Sequence, residues 1–173
     1  MTTMNFLKDQ VIETRNFTKR LISEMPEELW YEIPNHTDSN FAWQMGHLFL
    51  AQNYHIISCA FGQEPKISEK LPIRAYARVF GGLGSPHRSV GKDFVSVAEL
   101  KDHFDFVFDL CIDKLQNASD EILKDQLEPT LFKNPIALNK YEAISWSFKH
   151  EMWHCAEMEQ IKIHLGKQFT WIK

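Results

Sequence analysis

The segment KHEMWHCAEME, residues 149–159, carries two histidines four positions apart, His150 and His154. On an α-helix this spacing places the two imidazoles on one face, one turn apart. Neutral imidazole is a common metal ligand, so the pair predicts part of a metal site. The letters H-E-x-x-H also match a zinc-protease motif, which stays a hypothesis until the rest of the chain supplies a third ligand.

This segment belongs to the longest of four predicted helices. Apolar residues recur with helical periodicity, without strand-like alternation, over about residues 5–25, 41–61, 96–115 and 136–165. The third helix opens on a capping-box sequence at Ser96, and glycines at positions 62 and 166 end the second and fourth helices. The connections over residues 62–95 and 117–135 are long or irregular. We therefore predict one all-α domain over residues 1–173, a four-helix bundle with long crossover connections.

The composition is that of an ordinary globular protein. Of 173 residues, 44% are hydrophobic and 24% are charged. A net charge of −4, without a basic stripe, argues against a nucleic-acid partner. The most apolar stretch, residues 41–61, is interrupted by polar side chains, so we expect no membrane span and no membrane partner.

The expected location is the cytoplasm. The first residues lack the pattern of a signal peptide. The three cysteines, Cys59, Cys111 and Cys155, are odd in number and form no C-x-x-C pair, which suits a reducing compartment. We expect them to fill space in the core.

A third imidazole is expected from the second helix. At 100° per residue, His150, His154 and Glu157 share a face of the fourth helix with small and apolar residues. The same count places His47 amid large apolar residues on one face of the second helix. Sites in helical bundles are built from side chains that project inward from facing helices. Three neutral imidazoles would hold a divalent first-row ion and leave one or more positions open.

Two enzyme classes with similar motifs fit this chain less well. A zinc protease needs a further ligand downstream, whereas the only later acids, Glu157 and Glu159, lie within two turns of the motif. A ferritin-like di-iron site needs two E-x-x-H motifs, and Glu151 to His154 is the only one. The three histidines could also be polar core groups without an ion, but three on faces expected to converge favour a metal site.

Glu157 is the acid of interest. It lies one turn beyond His154 on the same face, where it could accept from an imidazole N–H, act as a general base, provide a fourth ligand or form a surface salt bridge. Gln44 and Tyr54 could line the pocket.

The other polar candidates receive weaker expectations. Glu151 and Glu159 point away from the predicted seam and are expected to face water. His164 lies about 21 Å along the helix from His150, too far to share one ion. Solvent or loop positions are expected for His36, His55, His87 and His103. The glycine- and proline-rich residues 62–95, with a short helical turn at 74–80, form either a plain crossover or a cover over the site, in which His87 could fold over the mouth.

Two stretches carry a family resemblance. NFAWQMGHL, residues 40–48, and HEMWHCAEMEQIKIHLGK, residues 150–167, resemble the DinB/YfiT-like superfamily of metal-binding four-helix bundles. Order, spacing and termini match along nearly the whole chain. The resemblance implies that His47, His150 and His154 are the metal ligands. Where members commonly have glycine and glutamine after the second histidine, this chain has Ala156 and Glu157, which adds negative charge near the site.

The resemblance also implies a class of function. Members with assigned activity include transferases and isomerases that use low-molecular-weight thiols, with zinc or another divalent ion activating the thiolate. The first hypothesis is therefore a metal-dependent enzyme, a thiol S-transferase or hydrolase, with Glu157 as candidate catalytic residue. Zinc or nickel is the expected ion, with iron or manganese as further candidates.

The alternative is a non-catalytic, stress-related binding module with a structural metal, which a closed four-ligand shell would favour. The expected partners are a small-molecule substrate and a second copy of the chain. A homodimer is expected because the family often forms dimers, and the apolar residues of the FTWI tail, residues 169–172, would suit an interface but could equally close the bundle.

Overall fold

The structure, a computed structural model, describes residues 1–81 and 88–167. Within them, 3-10 turns occur at Glu27–Leu29 and Asp120–Lys124, and a π-helix over Asn53–Phe61 continues the second α-helix. The α-helices are α1 (Thr3–Ser23), α2 (Phe41–Gln52), α3 (Pro65–Lys70), α4 (Ile73–Phe80), α5 (Val97–Gln116) and α6 (Lys140–His164).

The four long helices form the predicted bundle. Helices α1 and α2 each pack against both α5 and α6, so every long helix has two neighbours in the ring. Aromatic side chains fill the core between them, with Trp30, Phe41, Phe49 and Phe104 at most 2% exposed. The three cysteines are free and buried, as expected. No helix in the described part of the chain is long and apolar enough to cross a membrane.

The helix ends follow local capping chemistry. Ser96 and Glu99 form the predicted capping box at the start of α5. Gly62 and Gly166 have φ of 87° and 73°, which glycine adopts at little cost, and they end the second and fourth long helices as predicted.

The fourth long helix begins at Lys140 rather than at position 136. Asn134 Oδ1 accepts from the backbone N–H groups of Ile136 and Ala137, at 3.0 and 2.9 Å, so a side chain closes a turn there. Asn139 then caps α6 by accepting from the N–H of Glu142. The apolar pattern that starts at position 136 therefore belongs to a turn ahead of the helix.

Two short helices occupy the connection between the second and third long helices. The helical turn predicted at 74–80 is part of α4, which packs on α2. The contact is close, since a Cβ on Gly46 would lie 2.4 Å from the buried ring of Phe80. Glycine at position 46 is therefore what lets α4 approach α2. The prediction for His87 lies outside the described residues, as does the prediction of an interface at 169–172.

Candidate metal centre

His47 is held in place by α4 and by its own helix. Its Nδ1 donates to the backbone carbonyl of Phe80 at 2.6 Å. The indole of Trp43, one turn earlier on α2, stacks on the imidazole with ring centroids 4.8 Å apart and planes 8° apart. The ring can therefore neither turn nor tilt freely. Its Nε2 carries the lone pair, because the proton sits on Nδ1.

The three predicted histidines converge. His150 Nε2 lies 3.1 Å from His154 Nε2 and 3.3 Å from His47 Nε2. One ligand atom from each residue lies within 4.8 Å of the others. His154 is buried, whereas His47 and His150 are partly exposed, so the cluster borders on solvent. The convergence predicted from the helical wheel is confirmed, and metal binding by these residues stays a prediction.

The donor set fits a divalent ion. Nitrogens about 2.0–2.1 Å from a tetrahedral ion lie about 3.3 Å from one another, close to the separations in this cluster. Nδ1 of both His47 and His154 is occupied by hydrogen-bond acceptors, which directs both Nε2 lone pairs toward His150. Such bonds on the distal ring nitrogen are typical of metal-binding histidines.

Electrostatics keep His47 and His150 in their ligating form. Burial, reinforced by the neighbouring His154, lowers the pKa of His47 to about 4. Burial, reinforced by His154 and His47, lowers the pKa of His150 to about 2. Both imidazoles are therefore neutral at physiological pH, as metal binding requires.

Two side chains orient His154. Its Nδ1 donates to Gln44 Oε1 at 2.7 Å and to Glu157 Oε2 at 3.0 Å. Gln44 Nε2 also donates to Glu157 Oε2 at 3.0 Å, which joins the three side chains into one network. Glu157 therefore contacts the ring nitrogen that does not join the cluster. Of the roles considered for it, this contact favours that of an acceptor for an imidazole N–H, and the role of a salt-bridge partner is met by Arg88.

Arg88 completes this network and was missed from the sequence. It forms an ion pair with Glu157, lies 5.2 Å over the Trp43 ring and lies 3.7 Å from Asp38. Burial alone would raise the pKa of Glu157, but hydrogen bonds from His154, Arg88 and Gln44 outweigh it and lower that pKa to about 2. Glu157 is therefore an anion over the whole physiological range.

Several expectations about exposure are wrong. Glu151 was expected to face water, yet it is 3% exposed and pairs with the fully buried Arg15, with Nε to Oε1 at 2.9 Å. His55 and His103, expected in solvent or loops, are 7% and 8% exposed. His36 is exposed, as expected. Tyr54 does not reach the cluster with its hydroxyl, which donates to the carbonyl of Phe132.

The Arg15–Glu151 pair is the centre of a buried polar network. The guanidinium also donates to Gln52 Oε1 and to the carbonyl of Phe104, and its carbon lies 3.4 Å over the Phe104 ring centroid. Glu151 accepts a further bond from the Thr18 hydroxyl at 2.7 Å. The network thus joins α1, α2, α5 and α6, and its acid, Glu151, directly follows His150 in the sequence.

Comparison with known proteins agrees with this architecture. A crystal structure described as a conserved protein from Enterococcus faecalis superposes with a TM-score of 0.68 over 96% of this chain and 99% of that chain, at 14% identity, a likeness of fold alone. A search of curated proteins gives no match. The sequence profile of the DinB superfamily matches residues 10–158, a span that contains all three clustered histidines and Glu157. With the bundle and the histidine cluster both in place, the chain belongs to the DinB superfamily.

Proposed function

We propose that this protein is a metal-dependent enzyme of the thiol S-transferase type, with His47, His150 and His154 as the ligands of a divalent ion. The observation that carries the proposal is the convergence of three Nε2 atoms at a partly exposed position. His150 Nε2 lies 3.1 Å from that of His154 and 3.3 Å from that of His47. Three protein ligands with an open fourth position are the pattern of catalytic rather than structural zinc sites.

The position of Glu157 supports an open site. A structural metal would favour four protein ligands, and Glu157 is the acid closest in sequence to the cluster on its face of α6. Its Oε2 is already engaged by His154 Nδ1, Gln44 Nε2 and Arg88, and the contact with His154 is to the ring nitrogen that does not join the cluster. We therefore assign Glu157 the role of positioning His154. Its role as a catalytic base stays a prediction.

The chain's own residues would organise the reaction. A bound divalent ion lowers the pKa of a thiol or water placed in its open position. Phe80 and Trp43 fix the ring of His47, while Gln44 and Glu157 fix that of His154, so the ligand geometry exists before a substrate arrives. In thiol transfer the deprotonated sulfur attacks an electrophilic carbon. A C–S bond forms, the leaving group departs with its bonding electrons, and the thiol proton goes to solvent.

The proposal also covers the ion, the substrate, the oligomeric state and the location, of which the substrate and the homodimer rest on the resemblance to the family. Imidazole nitrogens suit zinc and nickel, which we propose as the ion, with iron or manganese as alternatives. The substrate would be a low-molecular-weight thiol with an electrophilic acceptor. We further propose a cytoplasmic homodimer, and the three free buried cysteines suit a reducing compartment.

Metal analysis tests the ligand set. Protein purified without added metal should contain close to one divalent ion per chain, and the His150→Ala variant should lose most of it. His164→Ala is the matched control, because it removes an exposed imidazole from the same helix. Equal metal content in the wild type and the His150→Ala variant would overturn the assignment.

Thiol reactivity tests the chemistry. The zinc- or nickel-loaded protein should accelerate conjugation of a small thiol to an electrophilic acceptor, and removal of the ion by a chelator should abolish the acceleration. A loaded protein that leaves every thiol in a broad panel unreactive would favour the non-catalytic binding module instead.

A further inference from the structure

His55 is a fourth imidazole beside the histidine cluster. It is 7% exposed, and its ring centroid lies 6.0 Å from that of His150. Centroid distances within the cluster are shorter, 4.5 Å for His150 to His154 and 5.1 Å for His47 to His150. The ring of His55 therefore lies next to the cluster but further from His150 than the other two imidazoles do. It belongs to the π-helix over Asn53–Phe61, an element that is rare and often found at functional sites.

The protonation of His55 is fixed by Asn134. Asn134 Oδ1 accepts from two backbone N–H groups, those of Ile136 and Ala137, so the orientation of its amide is determined. Its Nδ2 then faces His55 Nδ1 at 3.3 Å and Cys59 Sγ at 3.4 Å. An amide nitrogen can only donate, so His55 Nδ1 accepts and the ring proton sits on Nε2.

This protonation is the reverse of that of the held ligands. His47 and His154 carry their protons on Nδ1 and turn the lone pairs of Nε2 toward the cluster. The one lone pair of His55 is already used by Asn134, which leaves no ring nitrogen to bind an ion and leaves Nε2–H as a donor. A neutral imidazole N–H next to a metal site favours a partner with a lone pair or a negative charge.

We propose that His55 donates a hydrogen bond through Nε2–H to the group that occupies the open position of the three-histidine site, and that it thereby selects deprotonated sulfur or oxygen ligands over amines. This inference rests on the proposed function, because it requires an ion at His47, His150 and His154. It adds a positioning residue that the sequence pattern had assigned to solvent or a loop. It also narrows the substrate class to thiolates and other anions, since an ammonium group offers only donors.

The state of the ring can be measured without a metal. Long-range 1H–15N correlation spectra of the metal-free protein distinguish the two neutral forms of each histidine. We expect the proton of His55 on Nε2, and we expect it to move to Nδ1 in the Asn134→Asp variant, whose carboxylate can only accept. A proton on Nδ1 of His55 in the wild-type protein would overturn the inference, whatever the protein does with metals.

The donor role is tested with an anion probe. In Co2+-loaded protein, titration with azide followed by the visible absorption of the cobalt reports occupation of the open position. Loss of one hydrogen bond should weaken azide binding by about tenfold in the His55→Phe and Asn134→Asp variants, and Co2+ affinity should be unchanged in His55→Phe. His103→Phe is the control, because it replaces another buried histidine, one that packs on Phe49 and Tyr76.

The outcomes separate this inference from the proposed function. Equal azide affinity in the wild type and His55→Phe would overturn the donor role while leaving the metal site intact. Loss of Co2+ from His55→Phe would show that His55 is a ligand, which also overturns it. Failure of the wild-type protein to bind Co2+ at all would overturn the proposed function, and the inference with it.

Discussion

At the scale of single residues, the orientation of the His154 ring depends on contacts of Nδ1, the nitrogen that does not join the cluster. Nδ1 donates to both Gln44 and Glu157, and the carboxylate of Glu157 is in turn paired with Arg88. A carboxylate that accepts a hydrogen bond from Nδ1–H increases the basicity of Nε2, the atom that joins the cluster. The ion pair with Arg88 holds that carboxylate in position.

Replacement of Glu157 tests this arrangement. In Glu157→Gln the negative charge is lost and one of the two carboxylate oxygens becomes an amide NH2 group, which donates, so His154 and Arg88 face at best a neutral amide oxygen. We expect zinc affinity to fall by about 10- to 100-fold, the usual effect of losing a partner behind a metal ligand. Competition with a chromophoric chelator measures it. The exposed substitution Glu13→Gln on α1 is the control, and unchanged affinity in Glu157→Gln would contradict the positioning role.

The sequence predicted some of these residues and not others for a physical reason. A helical wheel identifies His47, His150 and His154 because each lies on a regular helix and faces its neighbour. Arg88 lies in the irregular connection and reaches Glu157 across 69 positions, which no local periodicity encodes. Glu151 was misplaced because α6 packs against α1 as well as α2, so a second face of the helix is buried. In the sequence alone, a buried glutamate that is paired with a distant arginine looks the same as a glutamate that faces solvent.

At the scale of elements, α4 links the long connection to the cluster. Gly46 allows the Phe80 ring to lie against α2, and the carbonyl of Phe80 accepts from His47 Nδ1. The absence of a side chain at Gly46 and the position of Phe80 at the end of α4 therefore together determine how His47 is held. This contact accounts for a G-H pair at positions 46 and 47 in terms of packing and orientation.

Addition of one methyl group tests the coupling. In Gly46→Ala the new Cβ would lie 2.4 Å from the buried Phe80 ring, so α4 must shift. Overpacking of this kind costs about 1–3 kcal/mol, partly offset by the better helix propensity of alanine. We expect lower unfolding free energy in urea and weaker zinc binding. Gly91→Ala is the control, because its Cβ would meet no atom within 4 Å, and equal behaviour of the two variants would contradict the coupling.

The Arg15–Glu151 pair joins the long helices to one another. Removing one partner leaves a buried charge without compensation, which costs about 3–5 kcal/mol. We expect Glu151→Ala to lower the unfolding free energy by about that amount in urea denaturation. Asp105→Ala breaks the exposed pair with Lys19 and should cost less than about 1 kcal/mol. A loss in Glu151→Ala no larger than that in Asp105→Ala would show that the network contributes little.

At the scale of the whole molecule, the burial of His47, His55 and His150 makes the unfolding free energy depend on pH. Burial lowers the pKa of His47 and of His55 to about 4 and that of His150 to about 2. In the unfolded chain an imidazole titrates near pH 6.5. Between these values the unfolded chain binds more protons than the folded protein, so the unfolding free energy falls as the pH decreases.

The prediction concerns the metal-free protein. Its urea unfolding midpoint should fall as the pH is lowered from 7.5 through 6.5 to 5. The His55→Phe variant, with one such group fewer, should show a shallower fall. A midpoint that stays constant across this range would contradict the burial of the three imidazoles.

The ligands of the proposed ion come from distant parts of the chain. His47 and His150 are separated by 103 positions, so an ion held by both closes a loop of that length. For a covalent cross-link, closing a loop of about 100 residues is worth about 4.7 kcal/mol in the chain-entropy model. A metal-coordinated cross-link of the same span would oppose unfolding, and proteases act mainly on unfolded chains. The supply of the ion in the cell would then govern how long each copy of the polypeptide survives, in addition to whether it can react.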